Sequence, residues 1–211
     1  MSTTQRILLF MLLAASSGLA QTVNCVVAVV NGQMITLLDV EVAAEFGLGQ
    51  DPAVENATDP RIAARDALID RKLVLDLARE VRGVNKDELA AAVAGLKQSL
   101  GEEAFDAKLA KFGLTPKDLE PYLEDRILYG RALALRFSQS IPVPVTEVER
   151  HYRDIYVPEQ ARRGVAAEPL DKVAPAIQAR IREERRAQQT AGWVRDLRKN
   201  ADIQIKKDCL K

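Results

Sequence analysis

The hydrophobic pattern of this chain changes period several times, and each change marks an element. After a first apolar run, Ile7 to Ala14, the β-branched stretch Val26-Val27-Ala28-Val29-Val30 behind Cys25 reads as a strand. Asn31-Gly32 is a two-residue turn signal, so Gln33-Met34-Ile35 is expected to return antiparallel. Thr36 then reads as an N-cap with Asp39 at N3, a capping box that launches a short helix through Phe46. Residues 47–58, with Gly47, Gly49, Pro52 and Asn56, read as a loop.

From there the period is helical almost to the end. Asp59-Pro60 is an N-cap followed by Pro at N1, and Ile62, Leu68, Ile69, Leu73, Leu77 and Val81 form a broad apolar face up to Gly83. Asn85 caps a second helix with Leu89, Val93 and Leu96 on one face. Gly101 to Phe112 carries Phe105 and Leu109, and Gly113 stops it as a C′ glycine. Thr115-Pro116-Lys117-Asp118 is a capping box that opens a longer helix with Leu119, Leu123, Ile127, Ala134 and Phe137 aligned. Pro121 removes a hydrogen bond one turn in and predicts a bend or a late start there. Ile141-Pro142-Val143-Pro144 is extended, Thr146 with Glu149 caps a short helix through Ile155, and Val157 to Gly164 reads as polar and turn-like.

The last helix, from about Leu170 to Asn200, is roughly 45 Å long. On a helical wheel Val173, Ile177 and Ile181 share one side, and Trp193, Val194 and Leu197 lie on another. Between them Arg182 to Gln189 is polar all round apart from Ala187. Such a helix either bridges two packed regions through solvent or lies with its middle exposed along one globule. Ala201-Asp202-Ile203-Gln204-Ile205 then alternates as a strand. An isolated hairpin is marginal, so the terminal strands need each other. Pairing 203–209 antiparallel with 25–31 sets Ile203 opposite Asn31 and Cys25 opposite Cys209. The expected fold is mostly α, with a small antiparallel sheet joining the N- and C-terminal strands.

The first twenty residues read as a secretory signal peptide, with Arg6 as its positive region and Gly18-Leu19-Ala20 before cleavage at Gln21. The apolar run is too short to span a bilayer, and Cys25 lacks a preceding lipobox, so no stable membrane anchor is expected. Loss of Arg6 turns 30 basic against 30 acidic residues into 29 against 30, a net charge of −1. That balance argues against a nucleic-acid partner. Two cysteines in an exported chain point to one disulfide, Cys25–Cys209, worth about 5 kcal/mol for so long a loop in the entropy model and about 2–4 as usually measured. Two unpaired thiols are the alternative reading.

Candidate chemistry is sparse. His151, the single histidine, sits among Glu147, Glu149, Arg150 and Arg153 and reads as a solvated surface residue. One histidine and two distant cysteines make no zinc site. No phosphate-binding loop, nucleophile elbow or His-Glu-x-x-His is present. Glu102-Glu103 and Glu183-Glu184 lie on helices rich in lysine or arginine, where ion-pairing faces are the default, and Arg180 to Arg186 is balanced by its own glutamates. No catalytic residue, metal or cofactor is assigned.

The order of segments resembles the SurA-type periplasmic chaperones and related parvulin-type foldases. The likeness rests on Val26 to Thr36 running into a helix with Asp39, on Ala67 to Val74, on Phe112-Gly113-Leu114-Thr115, on Pro142 to Glu149, and on Trp193 to Arg198 followed by Ala201 to Ile205. It implies a helical chaperone core formed by residues 21–156 and completed by 170–211. In that family a parvulin isomerase domain lies where this chain has only residues 157–169, so no isomerase residues carry over. The resemblance therefore implies a periplasmic holdase for unfolded or extended exported and outer-membrane proteins. A prolyl isomerase, or an envelope adaptor for one folded partner, are the other readings. Client-binding residues and oligomeric state are left unassigned.

Overall fold

The computed structural model describes residues 25–49, 59–78, 83–139 and 141–210. The expected signal peptide, residues 50–58 of the expected loop, and Val81 lie outside the described residues.

Strands β1 (Val26–Val30) and β2 (Gln33–Thr36) form the expected hairpin. Asn31 and Gly32 both hold positive φ, 49° and 82°, the conformation a tight hairpin turn requires and the reason this pair signals one. A register shift between Val26 and Ala28 marks a bulge, which lets Val27 and Ala28 both be buried although they are neighbours. Strand β3 (Ile203–Ile205) pairs antiparallel with the other side of β1, giving the order β2-β1-β3. The ends of the described chain thus meet.

The register differs by one residue from the expected one: Ile203 lies opposite Val30, not Asn31. A one-residue slip moves every side chain to the other face. The observed register sets Ile203 and Ile205 beside Val30 and Ala28, so Ile203 packs into the core. The strand also stops at Ile205, and a 3-10 turn at Lys207–Leu210 replaces the expected extension to Cys209. That turn brings Cys209 to Cys25, and the two are disulfide-bonded with Cα atoms 5.9 Å apart.

Helix α1 (Leu37–Glu45) starts at the capping box, with the Thr36 amide donating to Asp39 Oδ2 at 2.8 Å. Helix α2 (Pro60–Leu77) starts at Asp59 with Pro60 at N1 and is the centre of the molecule. It contacts α1, both hairpin strands and two later helices, and burial extends round it to Asp70 and Arg71. Each has a partner: Arg71 donates to the Leu48 carbonyl, and Arg198 donates to Asp70 and to the Asp66 carbonyl. Of the expected apolar face, Leu68, Ile69 and Leu73 are buried, whereas Ile62 and Leu77 at the ends are exposed. A Cβ on Gly49 would come within 2.6 Å of the Ala64 backbone, so only glycine permits the chain after α1 to lie on α2.

Helices α3 (Lys86–Leu100) and α4 (Glu102–Phe112) follow, capped by Asn85 and closed by left-handed Gly113 as expected. Phe105 meets Phe46 edge to face at 5.9 Å in the main core. The Thr115–Asp118 box opens a 3-10 turn at Pro116–Leu119, and α5 (Glu120–Arg136) begins late, around Pro121. Leu119 and Leu123 are buried, but Ala134 is exposed and Tyr129 and Ala132 are buried in its place, because α5 turns toward α2 and the last helix.

Helix α6 starts at Val145, after an N-cap at Pro144 with no side-chain bond, so Thr146 does not cap it. It runs Val145–His151 into one π-helical turn, Tyr152–Tyr156, and on into α7 (Val157–Arg162). Residues expected to be turn-like are helical, and the turn falls at Arg163-Gly164. Helix α8 (Leu170–Asn200) has 31 residues and no apolar stripe through its middle. Its first half packs Ile177 and Ile181 with Val143 and Val148, while Val194 packs with Val74, Tyr129 and Ala132. It therefore bridges two separate apolar clusters, and the polar segment 182–189 is the span between them.

Candidate functional site

Helix α3 buries none of its residues fully. Ala92, Gly95, Leu96 and Ser99 recur at i, i+3, i+4 and i+7, so they form one stripe of the helix. Leu123, Arg126, Ile127 and Gly130 form the same kind of stripe on α5. The two stripes face each other across an open groove of about 440 Å3. Each wall holds one glycine, and a Cβ at either would meet nothing within 4 Å, so the gap is real space next to the helices.

The rest of the fold sets this geometry. Val93, Leu96 and Leu100 rest on the main core from one side of α3. Glu88 of α3 is ion-paired with Arg131 of α5, which also donates to the Gly83 carbonyl at 2.9 Å. On α5, Tyr122 donates to Asp39 at 2.8 Å, the carboxylate that completes the α1 capping box. Burial first, and then this acceptor, hold the Tyr122 phenol well above its usual range. Asp125, facing the Arg71 and Lys72 side of α2, is pushed upward by burial, which outweighs the pull of those cations. Arg126 is exposed and, among the described residues, has no hydrogen bond or ion pair.

Two other grooves are charged. One, between α1 and α4, holds Glu45 between Lys108 and Lys111, each at 2.6 Å; their hydrogen bonds, Lys108's first, keep the Glu45 carboxyl below its usual range. The other, about 310 Å3, lies between α6 and α8 and is lined by Glu147, Arg150, His151, Asp154 and Arg185.

His151 is not the solvated surface residue that its neighbours suggest. It is 7% exposed, and neither ring nitrogen has a hydrogen-bond partner among the described residues. Val148 and His151 share the face of α6 that α8 covers, whereas Arg150 and Arg153 lie on exposed faces. The i, i+3 spacing of Val148 and His151 was the signal available, and the charged neighbours Glu149, Arg150 and Arg153 obscured it. The glutamate pairs behave as ion-pairing faces: Glu102 meets Lys97 at 2.6 Å, Glu183 meets Arg186 at 3.2 Å and Glu184 meets Arg180 at 3.0 Å. Glu103 is exposed. Both cysteines are consumed by the disulfide. The described residues contain no group of three or more His, Cys, Asp and Glu placed to hold a metal, and no helix among them is long and apolar enough to cross a membrane.

The α3–α5 groove thus offers apolar contact area beside one free guanidinium, in a shape suited to a side chain or two of an extended or helical segment. Sequence reasoning named Leu96, Leu123 and Ile127 as stripe residues but had no means to see that their stripes leave a gap. In comparison with known proteins, the chain matches no family model and no curated protein.

Proposed function

We propose that this chain is a periplasmic holdase-type chaperone that binds unfolded or extended segments of exported proteins and has no isomerase domain of its own. The observation that carries the reading is the open groove between α3 and α5, whose facing stripes do not close against each other. Covering apolar area contributes about 25 cal/mol per Å2 and needs no reactive group. The disulfide suits an oxidising compartment, and the order of segments resembles the SurA-type core. The connection between α7 and α8 spans only residues 163–169, in the position where that family carries its isomerase.

Light scattering of a chemically unfolded exported protein, diluted with and without a modest molar excess of this chain, tests the reading. Suppressed aggregation is expected. No suppression, together with no binding of apolar peptides, overturns it, and accelerated isomerisation of a prolyl peptide would place the chain with the isomerases instead.

A further inference from the structure

We propose that the α3–α5 groove selects apolar client segments that carry an acidic side chain beside their apolar run, with Arg126 as the selecting cation. This rests on the chaperone reading above and names its client class. The groove walls are apolar at Leu96, Leu123 and Ile127, and Gly95 and Gly130 leave room for an incoming side chain. The charges around it are satisfied within the fold: Arg131 is paired with Glu88, and Lys97 with Glu102. Arg126, three residues from Leu123 and four from Gly130 on the same face, is the cation that lines the groove without a carboxylate. A segment that seats aliphatic side chains between the walls brings its next polar residue to that rim. A glutamate or aspartate there gains a pairing partner, glutamine gains less, and lysine meets a like charge.

Fluorescence anisotropy with the full chain tests this. The probes are a labelled extended peptide with an aliphatic run followed by glutamate, and a twin with glutamine in its place. The glutamate peptide should bind about three- to fivefold tighter at low ionic strength, and added salt should erase the difference. Arg126→Gln should equalise the two peptides by weakening only the first. Gly95→Leu should weaken both by about tenfold or more, filling the space a partner side chain needs. Because that glycine lies inside a helix and its Cβ direction is open, the leucine variant should fold at least as well as the parent.

Equal affinities for the parent chain, or a preference that survives Arg126→Gln, overturns the selection by charge. Unchanged binding by Gly95→Leu overturns the groove as the site. A change of oligomeric state in Gly95→Leu, read by sedimentation velocity, would make a second copy the occupant and also overturn it. If the parent suppresses aggregation while any of these holds, the client class is wrong and the chaperone reading stands. If it binds neither peptide and suppresses nothing, both fall.

Discussion

The body around the sheet and the lobe at the start of α8 hold together in different ways. In the body, residues from β1, β2, α1, α2, α4 and α5 converge on one core, with the C-terminal strand added to the same sheet and a disulfide across it. In the lobe, α6 and the π-helical turn lie against the first half of α8, and Val143, Val148, Ile177 and Ile181 form the buried cluster. A polar clamp supplements it: Arg185 donates to the Pro142 carbonyl at 2.7 Å and to both Glu147 oxygens, at 2.7 and 2.6 Å. Small clusters open locally at lower free energy than a whole core. The lobe should therefore be the part that moves, and the body the part that decides whether the chain is folded.

Truncation of one buried isoleucine in each region is the most direct way to break this contrast. Ile69→Ala should destabilise the whole chain by about 2–5 kcal/mol in chemical denaturation, as large-to-small core changes do. Ile181→Ala should shift that transition far less and should instead raise hydrogen exchange across residues 143–181. Equal losses of global stability would show that body and lobe fold as one unit.

Removal of the disulfide comes next. Cys25→Ser with Cys209→Ser should lower stability by about 2–4 kcal/mol, read in the body's transition and in exchange of the β3 amides, with lobe exchange unchanged. Smaller still is the clamp: Arg185→Ala should lower the lobe's local opening free energy by about 1–2 kcal/mol. Trp193, the sole tryptophan, sits against Phe137 at 5.8 Å in the middle cluster and should keep its fluorescence in that variant. A spectral shift would mean that the clamp also holds the bridge.

The smallest effect expected is a gain. Burial raises the Asp125 carboxyl, so its ionisation is harder in the folded chain than in the unfolded one. Stability linked to this group is present while it is protonated and is lost as pH rises through its folded value. Asp125→Asn should therefore stabilise the body at neutral pH, and the advantage should vanish below the ordinary carboxylate range. A loss at neutral pH would show that its attraction to Arg71 and Lys72 outweighs burial.

Where the structure agrees with sequence reasoning, the signal was local. The Thr36–Asp39 box, Asp59-Pro60, Asn85, Thr115–Asp118 and Gly113 act within one helical turn, and Asn31-Gly32 within one hairpin. The late start of α5 at Pro121 belongs here too, since proline acts on its own helix. The boundary of α6 was misplaced because Thr146 and Glu149 satisfy a capping pattern that Pro144 pre-empts. The π-helical turn that carries the helix through Tyr152–Tyr156 into α7 left no trace in the hydrophobic period.

The amino-acid sequence alone determined most of the helices, the hairpin, the polar middle of α8 and the pairing of the two cysteines, because each depends on spacing along the chain or on a small set of pairing choices. Tertiary structure decided what is covered. The register of β3 was set by which face of the sheet meets the core, the burial of His151 by α8 lying over α6, and the groove by the distance at which α3 and α5 settle. A stripe of apolar residues is the same in a sequence whether a neighbour closes over it or stops short. Only the positions of the remote helices distinguish a core from a binding surface.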